Sequence, residues 1–265
     1  MRRMTGHSAP EWIEWVKDRF LPDGVGRALS IGCSSGFSDR TAVTVGLCRA
    51  MDCLDVSPGA IALAEERARA AGLSGLSYRV ADVNGEQLPP ETYDLVLFAQ
   101  SLHHMEALEH VLDQVRRTLR PRGWLVLNEY IGPSRLQWTD EQLAIVNELL
   151  AVLPERLRQL GGPGGEVRHR MSRVPLGDFA VGDPSEAVRS AEIVPLVSDR
   201  FEVVERRDFG GTVLYPLLYR LTDNFDPANE TENAILRLLI AFEDLVLAQR
   251  ILPSDFTLIV ARRPD

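Results

Sequence analysis

Lysine is almost missing from this sequence: Lys17 stands alone among 29 basic residues, the other 28 being arginine. Cysteine is scarce too. Cys33, Cys48 and Cys53 cannot all pair within the chain, and none sits in a Cys-x-x-Cys or Cys–His spacing. That pattern builds neither a disulfide scaffold nor a structural zinc site. Long apolar runs are absent as well. The most apolar late stretch, Ile235 to Leu252, is broken by Arg237, Glu243, Asp244 and Arg250, so no membrane span is expected. Met1 to His7 are not followed by an apolar signal core, and the expected setting is a reducing cytoplasm. Positive charge is in deficit, with a net charge of −9. Nonspecific binding to nucleic acid or an anionic membrane needs the opposite surface potential.

The composition is otherwise that of a folded chain, 45% hydrophobic with 20 glycines and 16 prolines in 265 residues. Strands and helices alternate over the first 130 residues. Glu11 to Phe20 reads as an amphipathic helix. Arg27 to Ile31, Met51 to Leu54, Leu76 to Val80, Tyr93 to Phe98 and Trp124 to Asn128 read as five strands. Ser57 with Pro58 opens a helix towards Gly72, and Leu108, Val111, Leu112, Val115 and Leu119 mark the face of another. Repeated strand–helix–strand units imply a parallel sheet covered on both faces.

The rhythm changes later. Thr139 with Gln142 forms a capping-box pattern for a helix to about Leu153. Gly161 to Gly165 reads as a flexible link, and Asp183-Pro184-Ser185-Glu186 as the cap of a helix towards Leu196. Phe201 to Phe209 and Phe256 to Ala261 read as strands, with helices around 215–221 and 229–250 between them. The expected organisation is a core over 1–130, a helical cap over 131–200, and closing strands over 201–265 with a helical insertion at 213–251.

Three features point to a nucleoside ligand. The first strand empties into Gly32-Cys33-Ser34-Ser35-Gly36, a turn of small residues that lets a ligand approach the backbone at the start of a helix. Asp55, 19 residues after Gly36, ends the second strand, where a carboxylate can accept both ribose hydroxyls. Asp82 follows the third strand on the neighbouring rim, placed to accept from an exocyclic amino group.

Together these motifs resemble the class I S-adenosylmethionine-dependent methyltransferases, in particular the broad quinone and small-molecule group, over roughly Arg27 to Tyr130 plus the closing strand pair. The family's acidic-x-Gly-x-Gly-x-Gly motif is here Ser30-Ile31-Gly32-Cys33-Ser34-Ser35-Gly36, with Ser30 in place of the acid and Ser34 in place of the middle glycine. Tyr93-Asp94-Leu95-Val96, Gln100-Ser101-Leu102-His103-His104 and Leu119 to Leu125 are similar to the later motifs. The resemblance implies a Rossmann-like α/β fold: a seven-stranded, mostly parallel sheet with an antiparallel last strand, flanked by helices and carrying a helical cap insertion. It implies S-adenosylmethionine as cofactor and S-adenosylhomocysteine as product. The cofactor-binding positions would be Ser30, Gly32, Cys33, Ser34, Gly36, Asp55, Val56, Asp82, Val83 and Gln100.

Methyl transfer is a displacement that leaves a neutral sulfur, so the protein has to align the reactants and, where needed, take a proton. His103 is the expected base, with Glu129 and Tyr130 on the same rim to orient it or the acceptor. No metal is expected, since no Glu or Cys near His103-His104 completes a ligand spacing. The expected partner is a small organic methyl acceptor, with Tyr130, Trp138, Phe179, Tyr215, Leu218, Tyr219 and Phe225 as an apolar wall for it, and a homodimer is compatible with the chain. Two alternatives stand beside this reading: a nicotinamide-dependent oxidoreductase, and an S-adenosylmethionine-binding protein that does other chemistry or none.

Overall fold

The run Leu95-Val96-Leu97-Phe98 has no polar face, and in the computed structural model all four side chains are fully buried. The structure describes residues 2–6, 11–179 and 182–265. The apolar run is the centre of β4 (Tyr93–Ala99), which pairs in parallel with β1 (Val25–Ile31) and β5 (Leu119–Tyr130). A strand covered on both faces has no use for polar alternation. Outside β1 lie β2 (Cys48–Asp55) and β3 (Leu76–Val80), and outside β5 lie β7 (Phe256–Arg262) and then β6 (Glu202–Gly210). The order is 3-2-1-4-5-7-6, with β7 antiparallel to both neighbours. The expected seven-stranded, mostly parallel sheet with its antiparallel last strand is therefore present.

Helices cover both faces. On one face, α1 (Arg2–Thr5), α2 (Trp12–Phe20), α3 (Phe37–Thr44) and α4 (Pro58–Ala70) bury Ile13, Val16, Ala42 and Ile61 against Ala28, Cys53, Leu95 and Leu97. On the other, α5 (Leu108–Thr118) brings the expected Leu108, Val111, Leu112 and Val115 onto Leu29, Val96 and Phe98. Helix α4 starts as its sequence predicts, with Ser57 as N-cap and Pro58 at the first position.

A third core lies at the carboxyl edge of the sheet. It is built by α6 (Asp140–Val152), α7 (Leu176–Phe179), α9 (Leu214–Leu218) and α10 (Glu230–Ala248), which pack with Tyr130 and Trp138. Helix α6 carries the predicted capping box, with Thr139 and Gln142 exchanging hydrogen bonds. The remaining helix, α8 (Ile193–Arg200), shows a departure from the sequence expectation. Asp183 to Glu186 does not cap it. Asp183 instead accepts from the Ser185 amide and hydroxyl, closing a turn, and the helix begins only at Ile193. An Asp side chain bonded two residues on competes with helix initiation, and contacts from Arg135 and the His103 carbonyl hold the turn in place. Gly161 to Gly165 is a turn pinned to its surroundings, the Gly161 amide donating to the Arg220 carbonyl and the Leu160 amide to Glu166. No helix among the described residues is long and apolar enough to cross a membrane.

Candidate active site

The carboxyl ends of β1, β2 and β4 open onto a cavity of about 320 Å³. Its floor is the turn after β1. Gly32 (φ +69°) and Gly36 (φ +71°) occupy left-handed backbone, and a Cβ on Gly32 would lie 2.4 Å from the Cβ of Ser101. Ser34, at φ +49°, is held in the same region without a glycine's freedom. What holds it is Asp55: one carboxylate oxygen accepts from the Ser34 amide at 2.8 Å and the other from the Ser57 amide at 2.9 Å. The carboxylate at the end of β2 thus shapes the turn and starts the following helix, while its remaining lone pairs face the cavity it lines.

Of the ten expected cofactor-binding positions, Gly32, Ser34, Asp55, Val56, Val83 and Gln100 line this cavity. Ser30 and Cys33 line a smaller adjoining cavity of about 160 Å³ that shares Gly32 and Ser34. Gly36 packs beneath the turn, where a Cβ would meet the Tyr78 hydroxyl at 2.7 Å. Asp82 lies beside the site, its Oδ1 accepting from both the amide and the side chain of Asn84. The three cysteines are free and buried, and burial pushes the Cys48 thiol up to about 12.

His103 and Glu129 are brought together. Glu129 is fully buried, and one of its oxygens accepts from the Ser101 and Leu102 amides at 2.7 and 2.6 Å. The other lies 2.7 Å from His103 Nδ1. Burial works against a charged His103, but the Glu129 hydrogen bond and charge outweigh it, and the net shift of the imidazole is upward. Tyr130 is not aimed at the cavity: its hydroxyl donates to the Pro133 carbonyl at 3.2 Å, and its ring packs edge-on to His103 at 6.2 Å. Most of the expected apolar wall likewise belongs to the third core, Tyr215 sitting 5.9 Å from Tyr130 and 6.2 Å from Trp138, while Tyr219 is exposed, and none of the wall residues lines the cavity.

Residues from far along the chain complete the mouth. His104, Met105, Asp183 and Ser185 line it, and His104 Nδ1 lies 3.0 Å from the Ser185 hydroxyl. The turn carrying Asp183 and Ser185 is tied down by Arg135, which donates to the Pro184 carbonyl, and by the Val188 amide donating to the His103 carbonyl. Glu186 arrives with that turn and completes, with His103 and His104, a group of possible ligand atoms within 4.8 Å of one another, which linear spacing did not reveal. Sequence reasoning reached His104 but had no signal for Asp183 or Ser185, whose contacts span about eighty residues of chain.

Comparison with known proteins agrees with this fold. The methyltransferase domain family matches residues 29–127. Over that stretch the chain resembles a methyltransferase domain. The match holds the turn after β1, Asp55, Asp82 and the His103–Glu129 pair apart from Glu129 itself. A relative, the 27-O-demethylrifamycin SV methyltransferase of Amycolatopsis mediterranei, is 30% identical over 126 residues, 46% of this chain and 46% of that protein. The alignment thus spans about half the length of that relative. Two solved structures are similar over 95% of the chain. One is geranyl diphosphate methyltransferase in complex with GPP and sinefungin (17% identity, TM-score 0.58, 77% of that chain), and the other the [4+2]-cyclase SpnF (16%, 0.56, 80%). At those identities they report the fold.

The cavity presents donors and acceptors that fit S-adenosylmethionine. The half-buried Asp55 suits a ribose diol, Val56 and Val83 offer apolar cover for a flat base, and the carboxylates of Asp55 and Asp183 favour a cation. The antiparallel β7 also separates this sheet from the dinucleotide-binding arrangement, whose added strand is parallel.

Proposed function

We propose that the chain is an S-adenosylmethionine-dependent methyltransferase that acts on a small organic acceptor carrying a hydroxyl or amino group. The observation that carries this reading is the convergence of Asp55, locked by the Ser34 and Ser57 amides, with the His103–Glu129 pair at one end of the sheet. When bound, the cofactor supplies an activated methyl group on a sulfonium. The chain's own residues do the rest. Asp55 fixes the ribose and so sets where the methyl group points. Glu129 holds His103 Nδ1 as the protonated nitrogen, leaving Nε2 as the one able to take a proton from the acceptor. His104, Ser185 and Asp183 form the polar mouth through which the acceptor enters. The turn carrying Asp183 and Ser185 covers part of the mouth.

The test has two stages. Calorimetry with S-adenosylhomocysteine and with NADH on the same protein separates this reading from a nicotinamide enzyme, and tight binding of NADH alone defeats it. Turnover of methyl-labelled S-adenosylmethionine across a panel of phenols, alcohols and amines then separates methyl transfer from other chemistry on this fold. Binding without label transfer to any acceptor points instead to an S-adenosylmethionine-binding protein that does other chemistry or none.

A further inference from the structure

Helix α10 is apolar on two sides, and only one of them has a core to face. Leu239 and Val246 are buried, and Ile235 and Phe242 pack with them in the third core. On the opposite side Leu238 is 70% exposed and Leu245 55%. Single exposed leucines are ordinary, but these two belong to a stripe. Thr231, Ala234, Leu238, Ala241, Leu245 and Ala248 are all exposed and follow one another at alternating steps of three and four. That alternation is the seam of a coiled coil, the pattern of a helix that meets another along its length. A surface helix needs no second stripe, because one apolar face already docks it to its own core.

The stripe is self-complementary. Turned antiparallel about a two-fold axis near its centre, it sets each leucine of one copy opposite an alanine of the other. Leu238 meets Ala241 of the second copy, Leu245 meets Ala234, Thr231 meets Ala248, and symmetry repeats each pairing. Large opposite small in successive layers lets two helices approach closely with the seam filled. A parallel pairing would set leucine on leucine and alanine on alanine, alternately crowding and emptying the seam. The flanking charges have the same sense. Arg237 and Asp244 lie on one side of the stripe and are exposed, and the antiparallel pairing puts each opposite the other's counterpart in the second copy. Arg237 has no ion-pair partner among the described residues, and Asp244 uses Oδ1 for Arg3, which leaves Oδ2 open. Surface pairs of this kind add little affinity, so they set orientation while the leucines supply the burial.

We propose that α10 is the interface of a symmetric homodimer, packed antiparallel on α10 of a second copy of this chain. The proposal is independent of the methyltransferase reading. None of the interface residues lines the candidate active site, so association and cofactor binding can be read separately.

The experiment is sedimentation velocity of the full chain over a concentration series, with variants read against wild type. Wild type is expected to sediment at twice the chain mass by about 100 μM, where even a micromolar interface is mostly filled. Leu238→Glu places a charge in the seam and should weaken association by at least about 100-fold. Arg237→Asp and Asp244→Arg each oppose like charges and should each weaken it by about tenfold, whereas the double variant should return to within about threefold of wild type. Circular dichroism checks that each variant stays folded, as the exposure of these side chains predicts. Should Leu238→Glu unfold, the charge-reversal set alone decides. A wild type still monomeric at the highest concentration overturns the proposal, as does a dimer indifferent to Leu238→Glu. Single reversals that weaken the dimer without recovery in the double variant overturn the antiparallel register.

Discussion

His103 Nδ1 and Glu129 Oε2 lie 2.7 Å apart, and the second oxygen of the same carboxylate carries the Ser101 and Leu102 amides. One buried side chain on β5 therefore fixes both the backbone after β4 and the tautomer of the histidine on it. A neutral imidazole so bonded has its Nδ1 proton committed and its Nε2 lone pair free.

That arrangement sets the pH profile. His103 is raised by Glu129 against the opposing effect of burial, so more of it is protonated near neutrality than for an ordinary histidine. If its neutral form is the base, kcat should rise with pH through a midpoint above about 6.5. In Glu129→Gln the amide can donate to Nδ1, which moves the proton to Nε2 and removes the base. The expected loss in kcat is about 10²–10⁴-fold, with S-adenosylhomocysteine affinity nearly unchanged by calorimetry. His103→Ala should match it within about tenfold. Near-normal kcat in both variants would take the pair out of the mechanism and turn attention to His104, which lines the cavity.

Asp55 has two tasks, so its removal should be read in two assays. Asp55→Ala frees the Ser34 and Ser57 amides and deprives a ribose of its acceptor. Affinity for S-adenosylhomocysteine should drop by about 1–3 kcal/mol, and stability in denaturant by about 1–2 kcal/mol through the lost helix start and turn. A stability loss with full affinity would mean that Asp55 merely shapes the turn.

How much of this was legible in advance depended on the range of each interaction. Strand β3 begins and ends where its apolar pattern does, at Leu76 and Val80, and the Thr139–Gln142 box starts α6 because both bonds lie within one turn of chain. Asp55 was readable because its position follows from the strand before it. The turn at Asp183 to Glu186 was misread as a helix start, since its role comes from Arg135, His104 and the His103 carbonyl, none of them near in sequence. The burial of Asp39 was invisible for a similar reason. An acid in the first turn of a helix is ordinarily a solvated complement to the helix dipole, and only packing against β1 and β2 buries it. Tyr130 was placed on the correct rim, but strand alternation could not say that its hydroxyl would turn to Pro133.

The contact between Gly32 and Ser101 predicts a paired effect. A methyl group on Gly32 meets Ser101 Cβ at 2.4 Å and sits on left-handed backbone, so Gly32→Ala should cost about 2–4 kcal/mol of stability and most of the cofactor affinity. Ser101→Gly removes the obstructing Cβ, at the loss of the hydroxyl's bond to the Ile31 carbonyl. The double variant should be more stable than the sum of the two single losses by about 1 kcal/mol or more. Strict additivity would show that backbone strain alone, and not the clash, makes Gly32 necessary.

Asp255, at the head of β7, predicts a pH-dependent stability that is independent of any ligand. Its side chain is buried, accepts from Gln142 Nε2 at 3.1 Å, and is pushed up to about 7 chiefly by burial, with the Gln142 bond opposing and the nearby Glu243 charge reinforcing the rise. A carboxyl that titrates near 4 in the unfolded chain and near 7 in the folded one binds its proton more tightly when folded. Its contribution therefore favours folding at low pH, erodes as pH climbs from about 4 to 7, and is constant above that. Asp255→Asn keeps an acceptor for Gln142 and cannot ionise. The variant should be close to wild type in stability at pH 4 to 5 and more stable by about 2–4 kcal/mol at pH 8, measured by urea unfolding at both pH values. Because every other titrating group is common to the two proteins, its effect cancels in the difference. A difference that stays the same at pH 5 and pH 8 would show that Asp255 is already ionised in the folded protein at the lower pH, with its charge satisfied by Gln142 and its surroundings.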